Sequence, residues 1–179
     1  MRSWKTWALA AALVGVSGAA QAGLVLQSNG VEVLDTDTNL LWLYDWNLSG
    51  RKNWGDAKLW AAGLTVGGAA AGDWRLPEIG EYADLWTDVG SSLSGLQSKF
   101  TGVQSGDYWS GTVYAPDPNG AWFFRTSVGG TDPDATSSAL YAVAVRPGDV
   151  TASVPEPQTL ALVLLALGAT VVARRRRSR

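Results

Sequence analysis

Residues 159–173 run without a charge and end against four consecutive arginines, Arg174, Arg175, Arg176 and Arg177. As a helix this run rises only ~22 Å, short of a hydrocarbon core of about 30 Å, so the sequence predicts a short transmembrane helix suited to transient spanning. The basic tail, residues 174–179, would stay cytoplasmic and leave the rest of the chain outside. The opposite end makes the same demand. Met1-Arg2-Ser3-Trp4-Lys5 precedes an apolar run from Trp7 to about Val16, and Ala20 and Ala22 then form an A-x-A cleavage site. Residues 1–22 therefore read as a signal peptide handled by the Sec translocon and signal peptidase, with Gly23 as the first mature residue. Between these ends, only residues 23–150 are free to fold as a domain, followed by a linker over 151–158.

Charge is segregated in the same way. Residues 23–154 hold 15 acidic and 7 basic side chains, a net of −8 that the basic ends dilute to −2 overall. Such a body repels phosphate backbones, which argues against nucleic-acid binding. The chain has no cysteine and no histidine. That excludes a disulfide framework, thiol or imidazole catalysis and the common zinc, haem and iron–sulfur sites. Any chemistry is left to carboxylates, hydroxyls, Lys, Arg and aromatic rings, and nothing in the motifs calls for a cofactor.

Val154-Pro155-Glu156-Pro157, a short apolar helix and a terminal arginine cluster resemble the PEP-CTERM sorting signal of Gram-negative bacteria. The resemblance implies recognition by exosortase, a membrane-embedded cysteine transpeptidase-like enzyme acting near Pro-Glu-Pro, and passing membrane contact. The tail is then lost and the domain delivered to the cell surface or the exopolysaccharide matrix, a logic shared with GPI signals. Pro155 and Pro157 hold that segment extended and out of the helix, within reach of a protease. A plain single-span anchor stopped by the arginines, giving a permanently tethered envelope protein, is the alternative.

Within the body, Val31–Leu34 and Leu40–Tyr44 read as an N-terminal β-hairpin, with Asn39 at a left-handed turn position. Asp35-x-Asp37-x-Asn39 imitates the start of a calcium loop. The imitation fails where glycine and glutamate are required, at Leu40 and Trp46, so no metal site is expected there. A helix should open near Asn53, with Trp54, Ala57, Trp60, Ala61 and Leu64 at helical spacing. A second should follow Pro77, with Ile79, Tyr82, Leu85, Trp86 and Val89 as its apolar stripe. Glu78, Glu81, Asp84 and Asp88 fall on its other side. They invite an acid–base pair of the glycosidase kind, but nothing apolar flanks them to split their pKa values, so a solvated face is expected. Residues 90–106 read as a polar connection. Tyr108–Tyr114, Trp122–Thr126 and Tyr141–Arg146 read as a three-stranded antiparallel sheet, joined by loops over 115–120 and 129–138. The order describes an α+β domain.

These landmarks resemble a second family. Leu41-Trp42, Trp54-x-x-Ala57, Trp74-Arg75-Leu76-Pro77, Tyr108-Trp109-Ser110-Gly111-Thr112, Ala121-Trp122 and Val145-Arg146-Pro147 fall in the order of the Lcl C-terminal domain family, which implies a C-type-lectin-like fold. Arg75-Leu76-Pro77 with Glu81-Tyr82-Ala83 is also similar to the formylglycine-generating enzymes, whose cysteine-dependent oxidation this chain cannot perform. It carries neither Glu-Pro-Asn nor Trp-Asn-Asp, so lectin-type calcium chelation is not expected.

Eight of the ten tryptophans lie in the body and supply the burial that disulfides would otherwise provide. Trp54, Trp60 and Trp86 are expected in the core. Trp46 and Tyr114 border loops and are candidates for stacking on a sugar ring, with Asp117, Asn119, Asp132 and Asp134 as candidate polar contacts. The expectation is an exported, non-enzymatic, lectin-like domain that binds glycan, exopolysaccharide included, or protein, or serves matrix structure. A carboxylate-based polysaccharide hydrolase is the rival.

Overall fold

The computed structural model describes residues 23–148. The predicted signal peptide, the linker with its Pro-Glu-Pro motif, the short apolar helix and the arginine tail lie outside them. Among the described residues no helix is long and apolar enough to cross a membrane.

The α+β expectation holds, with more elements than the sequence pattern predicts. Strands β1 (Leu24–Leu26), β2 (Glu32–Asp35) and β3 (Leu40–Leu43) are followed by β4 (Arg51–Lys52) and helix α1 (Trp54–Ala62). Helices α2 (Ile79–Asp88) and α3 (Leu93–Lys99) lead into β5 (Asp107–Val113), β6 (Gly120–Arg125), β7 (Gly130–Ala135), β8 (Leu140–Tyr141) and β9 (Val145–Pro147). One sheet has the order β1-β2-β3-β9, the other β4-β8-β5-β6-β7.

Local chemistry explains the boundaries. Asp35 accepts the backbone N–H groups of Asp37 and Thr38 and the Thr38 hydroxyl, closing the β2–β3 turn, and Asn39 takes φ +54° as expected. Asn53 caps α1 by accepting the Asp56 N–H at 2.8 Å. At the start of α2 the Glu81 carboxylate accepts the Glu78 N–H at 2.7 Å. Ser92 caps α3 through the N–H of Gly95, where any Cβ would collide with the Val89 carbonyl.

Three sequence expectations need correction. The stretch expected as a plain connection, 90–106, contains α3, because Leu93, Leu96 and Phe100 fall on one inward side. The loop expected over 129–138 is largely strand β7, an edge strand where Pro133 forfeits no needed donor. The single strand expected over 141–146 is two. Tyr141 pairs parallel with Tyr108 in the second sheet, then the chain crosses through Ala142, Val143 and Ala144, all wholly buried, to pair with β3 in the first. The second sheet is therefore mixed rather than purely antiparallel.

The core lies between the sheets and under α2. Trp42 and Trp46 stack with centroids 6.0 Å apart, and Phe100 and Tyr108 each lie 5.2 Å from Trp46. Tyr82 of α2 stacks on Phe124 of β6 at 4.9 Å. Trp54, Trp60 and Trp86 pack against this core but stay half-exposed, and among the described residues the fully buried tryptophans are Trp42, Trp46, Trp74 and Trp109.

Candidate functional site

The sequence-derived candidates do not form one cluster. Trp46, expected at the surface, has no exposure at all, so it cannot stack on a ligand. It does lie in a loop, but Asp45 bridges to Thr101 and the Trp46 N–H bonds the Thr101 carbonyl, which turns the ring inward.

Tyr114, Asp117 and Asn119 stay together on the β5–β6 hairpin. The Asp117 carboxylate accepts the Asn119 N–H at 2.9 Å, and its backbone bonds Tyr114 and Gly120. Tyr114 meets Trp122 edge to face at 5.4 Å and 83°, and both are half-buried. Pro133 lies directly opposite Trp122 across the β6–β7 ladder. Trp122 and Pro133 therefore extend the aromatic surface of Tyr114 along one face. Sequence reasoning missed Trp122 as a site residue. The signal was available, since it alternates with buried Ala121 and Phe123.

Asp132 and Asp134 alternate with Pro133 along β7 and take the other face. Asp132 pairs with Arg125 at 3.5 Å, and Asp134 accepts the N–H of Ala135. Arg125 also holds Asp107 at 2.9 Å, and that hydrogen bond raises the guanidinium pKa above its ordinary value.

Two of the four acidic side chains expected on the outer side of α2, Glu78 and Glu81, are engaged structurally. Glu81 takes both terminal nitrogens of Arg75, at 2.6 and 2.8 Å, and this hydrogen-bonded pair raises the Arg75 pKa. Glu78, at the exposed start of the helix, accepts the Thr112 hydroxyl. A shallow cavity of about 310 Å³ opens beside them, lined by Lys58, Trp74, Arg75, Leu76, Glu78 and Gly111. A second, of about 250 Å³, has the buried Glu32–Arg146 pair in its wall, with Gln27, Ser28 and Asn29 alongside.

At the far end of α2, Asp88 joins Asp35 and Asp37, each offering an oxygen within 4.8 Å of the others. Partial desolvation, then the charges of Asp35, Asp37 and Asp84, raise the Asp88 pKa. The Asp35 oxygens already serve the β2–β3 turn.

The aromatic hairpin thus brings two half-buried rings together beside the Asp117 carboxylate and the Asn119 amide. It offers ring faces for a sugar's C–H surface beside amide and carboxylate groups for hydroxyls. Two family models match the chain: the Lcl C-terminal domain over residues 31–146 and the PEP-CTERM protein-sorting motif over residues 153–177. No curated protein matches it.

Proposed function

The chain belongs to the Lcl C-terminal domain family, and from that premise we propose an exported, non-catalytic, lectin-like binding domain delivered to the cell surface or the exopolysaccharide matrix. Its sorting motif implies exosortase processing, and with it export and membrane passage before surface localisation. The ligand in this reading is matrix glycan, held on Tyr114 and Trp122 with Asp117 and Asn119 as polar partners.

The observation that carries the binding reading is the half-buried Tyr114–Trp122 pair, two large rings in edge-to-face contact beside the exposed Asp117 and Asn119. The non-catalytic reading is supported by the engagement of Glu81 with Arg75 and of Glu78 with Thr112, since a glycosidase needs two carboxylates facing a scissile bond. The lectin-like reading of the fold rests on the family resemblance.

Retention on matrix polysaccharide tests the binding. Wild-type protein should be held and Tyr114→Ala should elute freely; passage of both through the column removes the binding role and leaves a structural one. Intact mass of the exported chain, in cells with and without active exosortase, tests the sorting. A mature chain that keeps Arg174–Arg179 in both makes this a permanently tethered envelope protein.

A further inference from the structure

Both ends of the folded body emerge at the same turn. The Gly23 N–H donates to the Thr36 hydroxyl at 2.8 Å and its carbonyl accepts the Thr36 N–H at 3.2 Å. The Gly148 N–H donates to the Asn39 carbonyl at 2.8 Å, and the Asn39 amide returns a bond to the Gly148 carbonyl at 3.1 Å. Thr36 and Asn39 belong to the β2–β3 turn, so the points leading to the signal peptide and to the sorting motif lie side by side.

Helix α2 gives the direction away from that turn. Its last residue, Asp88, meets Asp35 and Asp37 of the turn. Two turns back, Tyr82 donates to the Trp109 carbonyl. At its start, Glu78 holds Thr112, and the Pro77 carbonyl accepts the Gly111 N–H. The helix therefore runs opposite to β5, and the 114–120 hairpin lies beyond its first residue. Ten helical residues rise ~15 Å, so the aromatic hairpin stands at least about that far from the turn where the chain leaves.

We infer that the domain is presented to its ligand while still held by the membrane: the β2–β3 turn faces the bilayer and the Tyr114–Trp122 hairpin faces away. The inference rests on the sorting reading above. Residues 149–158 reach at most ~35 Å even when fully extended, so the turn stays within that distance of the bilayer, and the hairpin lies at the opposite end of the body from both points of attachment. Both membrane segments can attach to the folded body at once without rearranging it. Exosortase then releases a domain whose binding surface was already outward, and the cut does not uncover that surface.

The test uses the full precursor in lipid vesicles. Because the chain has no cysteine, a single one introduced by Asp37→Cys or by Asn119→Cys carries the only dye, and both positions are exposed. Energy transfer to an acceptor dye in the lipid headgroups should be about twofold or more greater from position 37 than from position 119, given the ~15 Å offset. Equal or reversed transfer overturns the orientation. Failure of the precursor to float with the vesicles overturns the sorting reading, and the inference with it. Retention on polysaccharide is read in a separate experiment, so loss of the binding reading is distinguishable from loss of the orientation.

Discussion

Arg146 donates its Nε to the Glu32 carboxylate at 2.7 Å, joining residues 114 apart in sequence, with both side chains nearly excluded from water. Asn29 serves the other Glu32 oxygen, Arg146 also lies over Trp74 at 5.5 Å, and Gly67 packs so close to Glu32 that a Cβ would overlap its carboxylate. The pair ties β2 to β9 across the first sheet. Removing one partner strands a buried charge, which costs about 3–5 kcal/mol. Glu32→Gln or Arg146→Met should shift the urea midpoint accordingly, and the double change Glu32→Leu with Arg146→Met should recover most of the loss.

Trp46 and Tyr114 should respond in opposite ways. Trp46→Leu opens a cavity among Trp42, Tyr82, Phe100 and Tyr108 and should cost about 3 kcal/mol with surface chemistry unchanged. Tyr114→Ala should change stability by no more than about 1 kcal/mol, since its ring is half-exposed. Denaturant titration of the two variants separates a core ring from a surface one.

Burial raises the phenol pKa of Tyr108 to about 12 and pushes that of Tyr82 well above its ordinary value of 10. Both therefore bind their protons more tightly folded than unfolded. Their contribution to stability is fully present below pH 10 and is lost as pH rises toward the folded values. Ultraviolet titration of tyrosinate should show these two still protonated near pH 11 in the native protein, and unfolding free energy should fall steadily above pH 10.

At the other end of the scale, the raised pKa of Asp88 marks a carboxylate whose charge is disfavoured where it sits. Folded, it binds its proton more tightly than unfolded, so stability falls as pH rises through its folded pKa. Asp88→Asn should raise the melting temperature at neutral pH. The gain should shrink in about 1 M salt, where charges are screened within about 3 Å, and vanish in acid.

The sequence shows the β2–β3 hairpin, α1 and α2 with their caps because each carries both periodicity and a boundary residue, as Asn39 and Asn53 do. It hides α3, where Ser94, Gly95 and Ser98 dilute the apolar spacing, although Ser92 is a usable cap signal. It hides β7 because Asp132-Pro133-Asp134 has the composition of a turn. Strand propensity is overridden there by pairing with β6 along six residues. The misreading of Trp46 has a different cause. A loop residue's side chain points wherever its backbone partners turn it, and the Thr101 partner is 55 positions away with no local mark. The Asp35–Asp37–Asp88 meeting is equally silent, because it depends on where α2 ends in space.

The ring stack around Trp46 has one further consequence. A body clamped by interlocking indoles and phenols needs no oxidant to mature and offers no sulfur for a reductant to attack. Oxygen-poor and aerated surroundings should therefore leave it equally intact.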